Sequence, residues 1–391
     1  MSTVYQTLGC LWRLYCVDKR LKGQVMDKQL ATSFVQGLLH WNKVHNHRHM
    51  PWKGEQDPYK IWLSEVILQQ TRVEQGWAYY EKFVRQYPTV QALAAAPDDA
   101  VFKLWEGLGY YSRCRNLLHT ARYIAYELGG VFPQTYVGIL ALKGIGPYTA
   151  AAISSFAYNA PHAVVDGNVY RVLARIFNDD TLTDSAEGKK HFAQRAQALL
   201  LREKAGIYNQ ALMDFGATVC TPYPHCAACF FNQQCRAYSL QKQLLLPVKT
   251  KKPAPRERYF FYLALMHQGE VAIRKRTAAD VWQNLYEFWG VELPGPVKGT
   301  GIHTLVSQLL DLPGTDYDFS GLTVNKSQRL THQLIHFIII GLQLKRSVHL
   351  PDVTWVPISE LFNYPFPKTL AAVAQQVAGL YKAKVAGRKF D

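Results

Sequence analysis

Four of the chain's seven cysteines crowd into one short segment, at Cys220, Cys226, Cys229 and Cys235. Thiolates so spaced can wrap a single tetrahedral Zn²⁺ or one iron–sulfur cubane, and spacing alone does not choose between them. The odd total, with Cys10, Cys16 and Cys114 scattered elsewhere, fits a reducing compartment better than a disulfide framework. Two carboxylic acids stand in settings that change their chemistry. Glu65 lies in a helical run among Leu63, Val66 and Ile67, where desolvation favours the protonated form. Asp166 precedes Gly167 and another helical run and reads as an N-cap. Between two further helical segments, the run from Leu142 to Ala150 carries Gly144 and Gly146. Glycines there permit positive φ and let a phosphate approach the backbone. The helix beyond Pro147 adds unpaired N–H donors and the positive end of its dipole. A formal net charge of +15 points the same way, toward a polyanion.

The segments that must position these groups change character along the chain. Up to about residue 219 they read as consecutive helices with short connections, Asp57-Pro58 and Pro97-Asp98-Asp99 each opening one and Gly107-Leu108-Gly109 marking a tight turn. A connector rich in proline and lysine follows the cysteines. Strand patterns then appear at 259–267 and 271–275 around the turn Gln268-Gly269, and again at 332–344, with a closing helix at 370–381. The expected organisation is an extension of uncertain status at 1–25, preceding a second methionine at Met26, then a helical domain at 26–238, a basic linker at 239–257 and an α+β domain at 258–391. No apolar run is long enough to span a bilayer, and the stretch from Cys10 to Val17 is broken by Arg13 and lacks a small-residue cleavage site. A cytoplasmic protein is expected.

Several longer motifs follow one another in order: Leu63-Ser64-Glu65-Val66-Ile67-Leu68-Gln69-Gln70-Thr71, Gly107 to Arg113, the glycine-bearing turn, Val165-Asp166-Gly167-Asn168-Val169-Tyr170-Arg171, and the four cysteines. Together they closely resemble adenine DNA glycosylases of the MutY type, in the superfamily that includes endonuclease III. The resemblance runs from about Leu30 to Arg236 and continues more weakly beyond. It implies a multidomain protein: an all-α helix-hairpin-helix glycosylase core with an iron–sulfur loop, plus a C-terminal α+β Nudix-like domain.

It also implies roles. Glu65 would protonate adenine at N7 and then help to activate water, and Asp166 would face the oxocarbenium ion, with Asn168 and Tyr148 as hydrogen-bond partners. Gln70 and Tyr110 match intercalating positions and Thr71 contacts the same region, while Gly144 and Gly146 meet the DNA backbone. The cysteines would hold a 4Fe-4S cluster, although five residues separate Cys220 from Cys226 where the family has six, and Phe230 replaces a usual proline. Bifunctional relatives carry a lysine where this chain has Tyr148, which cannot form an imine, so base removal without strand cleavage is expected. The second domain lacks the acidic Nudix box after Gly290, and Leu330-Thr331-His332 corresponds to the family's Phe-Ser-His loop for reading oxidised guanine. The implied partner is duplex DNA with adenine opposite 8-oxoguanine or guanine, bound by a monomer that is nucleoid-associated. Two competing classes are a bifunctional glycosylase–lyase and a non-catalytic DNA-binding protein with a structural metal. Tyr148 argues against the first, and the joint presence of Glu65 and Asp166 against the second.

Overall fold

The computed structural model describes residues 27–251, 253–297 and 301–385, so the expected extension at 1–25 and Met26 lie outside the described residues. Helices come first: α1 (Lys28–Val44), α2 (Pro58–Leu68), α3 (Val73–Gln86), α4 (Val90–Ala95), α5 (Asp98–Trp105) and α6 (Tyr111–Arg122). They continue with α7 (Tyr136–Leu140), α8 (Pro147–Tyr158), α9 (Gly167–Phe177), α10 (Ala186–Leu199), α11 (Ala205–Thr218) and the single turn α12 (Arg236–Ser239). Beyond them lie β1 (Arg256–His267), β2 (Glu270–Lys275), β3 (Tyr286–Leu293), α13 (Gly301–Leu310), β4 (Tyr317–Arg329), β5 (Gln333–Leu344), β6 (Thr354–Pro357) and α14 (Lys368–Val385).

The chain packs as two compact units. One takes the described residues up to Glu65 together with Phe132–Lys251; the other takes Val66–Val131 and the residues after Lys251. The first is helical. Asp57 starts α2 as expected, its side chain accepting the Tyr59 N–H at 2.9 Å. Helix α1 sends Phe34, Leu38 and Trp41 into a core shared with Val169, Val172 and Leu173 of α9 and Ala211, Leu212 and Phe215 of α11. At Gly216 a Cβ would sit 2.7 Å from the Asn168 Cβ, so only glycine lets α11 come this close to the start of α9. The expected linker begins bonded to this unit, through Arg175 to the Leu246 carbonyl (3.1 Å), the Thr183 N–H to the Val248 carbonyl (3.1 Å) and the Thr250 hydroxyl to Asp184 (2.6 Å).

The second unit joins α3–α6 to a six-stranded mixed sheet of order β4-β5-β1-β3-β2-β6, in which only β1 and β5 run parallel. The β1–β2 turn falls at Gln268-Gly269 as expected, both residues at positive φ. Strands β3, β4 and β6 carry no alternation clear enough to announce them, and β4 is interrupted by a register shift between Phe319 and Thr323. In α5 the expected opening differs in detail: Pro97 is the N-cap, and Asp98 and Asp99 occupy the first turn instead of capping. Asp99 pairs with Lys275 (2.6 Å) and accepts the Tyr286 hydroxyl (3.0 Å), while Glu106 receives the Phe366 N–H (3.1 Å). These bonds seat α5 on the sheet, and the helices anticipated as one domain divide between the two units.

Candidate active site

Every residue of α2 from Ile61 to Ile67 is buried, which turns the expected partial desolvation of Glu65 into a nearly complete one. Only 6% of Glu65 is exposed. Burial raises its pKa from 4.5 to about 7; a hydrogen bond from the Tyr148 hydroxyl works against this, and the charge of Asp166 adds to it. A protonated Glu65 is therefore accessible at neutral pH, where an ordinary carboxyl is fully ionised. Tyr148 stands in the first turn of α8, just past the hairpin, its ring packed with Ala151, Ala152 and Val164. Burial first, then Glu65 and Asp166, push its phenol well above the usual value, so it remains a donor. Gly144 adopts φ +81°, and Gly146 caps α8 with no side-chain bond to its first N–H groups.

Asp166 is the N-cap of α9, and its charge acts on both Glu65 and Tyr148. One oxygen accepts the Val169 N–H at 2.7 Å and the other the Asn168 amide at 2.8 Å. Burial raises its pKa, opposed by those bonds and by Arg171. Arg171, to which the sequence reading gave no role, donates to the Asn168 oxygen (2.8 Å), the Gly216 carbonyl (2.7 Å) and the Cys220 carbonyl (2.6 Å). A continuous run of hydrogen bonds therefore leads from Asp166 to the first cysteine. One turn on, the buried Arg175 holds the shortened loop, donating to the carbonyls of Thr221 (2.6 Å) and Pro222 (3.0 Å) and to the Cys220 Sγ (3.4 Å). Both arginines were legible as a polar stripe with Asn168, at helical spacing, on an otherwise apolar α9.

Cys220, Cys229 and Cys235 pack against the helical core. The thiols of Cys226, Cys229 and Cys235 are pushed up by burial first and then by neighbouring cysteines, Cys229 to about 11. Among the described residues, no three His, Cys, Asp or Glu side chains close on one point as a single ion requires. Phe230 stacks on His40 (5.9 Å) and meets Phe231 edge-on (5.2 Å). Gly37 makes room for both rings, since a Cβ there would lie 2.6 Å from Phe231 and 2.9 Å from Phe230.

The second unit holds the other expected site residues. Gln70 (φ 58°) and Tyr110 (φ 49°) are both left-handed, in turns beside Thr71 and Gly109. Both side chains are exposed. The Tyr110 hydroxyl lies 2.9 Å from that of Thr331, so the expected wedge and the expected lesion loop meet. Thr331 and His332 form the exposed tip of the β4–β5 hairpin, and the His332 carbonyl accepts the Arg256 N–H at 3.0 Å. Arg113, also without an assigned role, runs beneath both left-handed turns.

Known proteins resemble this chain. The profile of the HhH-GPD superfamily of base excision DNA repair proteins matches residues 63–198, and that of the NUDIX domain matches residues 261–376. Fold and site thus define a base-excision repair protein with a helix-hairpin-helix glycosylase core. An adenine DNA glycosylase of Buchnera aphidicola subsp. Baizongia pistaciae is 34% identical over 65% of this chain and 73% of its own length. That of Rattus norvegicus is 32% identical over 85% and 75%. The chain belongs to the adenine DNA glycosylase family. Among solved structures, a thermostable thymine-DNA glycosylase superposes with a TM-score of 0.51 and 29% identity, over 55% of this chain and 98% of that one.

Proposed function

We propose that this chain removes adenine paired with 8-oxoguanine or guanine in duplex DNA and leaves an abasic site without cutting the strand. The observation that carries the reading is the buried Glu65, with a pKa near 7, set against Asp166 and Tyr148. The protonated Glu65 gives its proton to adenine N7 as the C1′–N9 bond breaks, and adenine leaves neutral. Asp166, held in place by Asn168 and the Val169 N–H, keeps a negative charge near the cationic sugar. Water then adds at C1′ and yields its proton to the Glu65 carboxylate, which restores the acid. Tyr148 donates to Glu65 and, having no amine, provides no route to an imine.

Extruding the adenine costs roughly a few kcal/mol, which Gln70 and Tyr110 offset by filling the gap, with Thr71 beside them. Gly144, Gly146 and the start of α8 receive the backbone phosphate. Thr331 and His332 read the oxidised guanine. Cys220, Cys226, Cys229 and Cys235 would hold a 4Fe-4S cluster, which would brace the loop. The donor set is four thiols of one short segment, three of them packed against the helical core, which suits a thiolate-held cluster. The enzyme works as a monomer in the cytoplasm, on the nucleoid.

Duplexes carrying 8-oxoguanine:A, G:A and thymine glycol, incubated with and without alkali, test this. Adenine release with alkali-dependent breaks is expected. Breaks without alkali, or efficient borohydride trapping, would overturn the monofunctional reading. The purified protein should be brown; zinc without iron would reverse the cluster assignment.

A further inference from the structure

Gln70 and Tyr110 lie forty residues apart in sequence, yet one side chain serves both of their turns. Arg113 Nη1 donates to the carbonyls of Val66 (2.9 Å), Ile67 (3.0 Å) and Gln69, and Nη2 to the Thr71 hydroxyl and the Gly109 carbonyl, both at 3.4 Å. Its guanidinium carbon lies 5.3 Å from the Trp105 ring centre and 5.2 Å from that of Tyr110. The first two acceptors belong to the last turn of α2, where carbonyls lack helical partners and a cation is favoured. Burial lowers the Arg113 pKa only to about 10, so the charge persists at neutral pH.

The backbone it supports is strained. A non-glycine residue in the left-handed region costs about 1–2 kcal/mol, and both wedge positions adopt that region. Strain of this kind persists only where its surroundings over-determine it. A planar fork with five donors can address both turns and still stack beside a ring; an ammonium cannot.

We propose that Arg113 is the positioning residue that presets Gln70 and Tyr110 as a pair of wedges before DNA arrives. Arg113 touches no reacting atom, and its contribution goes to opening the duplex. The proposal rests on the wedge roles of Gln70 and Tyr110 given above. Its signature is therefore dependence on base pairing: the contribution vanishes when the adenine is already unstacked.

The test compares single-turnover excision by the full-length protein on adenine paired in a duplex and on adenine in an unpaired bulge, with thermal unfolding alongside. Arg113→Gln is expected to slow excision from the paired substrate by about 10- to 100-fold and from the bulge by less than about 3-fold. Arg113→Lys should recover only part of the loss, because it keeps the charge and loses the fork. A 2-aminopurine beside the adenine should show less unstacking fluorescence with either variant. Equal losses on both substrates, or none on either, overturn the proposal. If Arg113→Gln does not fold, Arg113→Lys alone decides by the same ratio. Tyr110→Ala separates the premise from the inference: normal paired excision by that variant sinks the wedge roles themselves, whereas a loss there with unaffected Arg113 variants sinks only the positioning role.

Discussion

Glu65 is 6% exposed and its pKa is raised because water is kept away from it; Tyr110 is 44% exposed and stands out from the surface in a left-handed turn. Around Glu65 the protein spends packing to alter an ionisation. Around Tyr110 it spends charge and hydrogen bonds to hold a backbone shape that sequence preference opposes. The two regions also tolerate change differently. A buried acid is sensitive to any alteration of charge, and a preset surface turn to any loss of shape. Both requirements meet within one helix, since α2 carries Glu65 and ends at the carbonyls that Arg113 binds.

Substitutions can break this contrast, beginning where the effect is largest. Glu65→Gln should lower single-turnover excision by about 10²- to 10⁴-fold with duplex binding little changed, since the acid role proposed for it serves the chemical step. Retained activity would place the proton source elsewhere.

The same variant tests burial directly through stability. Because the folded-state pKa of Glu65 is raised, the folded protein binds the extra proton, and stability falls as pH rises from 4.5 to about 7. The loss is complete above that window and on the order of 3 kcal/mol. Glu65→Gln escapes it. Its melting temperature should match the wild type near pH 4.5 and exceed it at pH 8, while excision by the wild type declines above pH 7. A pH-independent difference in melting would mean that Glu65 is not desolvated as described.

On the exposed side, Thr331→Ala with His332→Ala should leave stability nearly unchanged and erode the preference for 8-oxoguanine:A over G:A by about 1–3 kcal/mol, the worth of one base-reading contact. Equal loss on both duplexes would reduce the hairpin to a structural turn. Gly37→Ala should act least, through packing alone. The new Cβ must displace Phe231 or Phe230, lowering the melting temperature by a few degrees, for about 1 kcal/mol of overpacking, without changing the excision ratio between duplexes.

Residue type and spacing carried much of this protein. The cysteine cluster, the Asp166 cap, the glycine-bearing hairpin, the start of α2 and the β1–β2 turn all depend on local chemistry, where few neighbouring residues decide the conformation. Strands β3, β4 and β6 were not legible, because a strand is stabilised by partners far along the chain and its own alternation can be weak. The arginines were the larger omission. Arg113 and Arg171 sit inside recognisable motifs, and Arg175 completes a helical stripe with Asn168 and Arg171, yet arginine in a basic chain reads first as surface charge.

By itself, then, the sequence determined which side-chain types are on hand for chemistry and that a helical stretch precedes one richer in strands. Only the tertiary structure decided that Glu65 loses nearly all its water, that Asp166 is bonded through Asn168 and Arg171 to the Cys220 carbonyl, and that α3–α6 join the sheet domain instead of the helices around Glu65. The reason is physical. Propensity and capping act over a few residues, whereas desolvation and the reach of a guanidinium depend on what the fold brings within a few ångströms, whatever the distance along the chain.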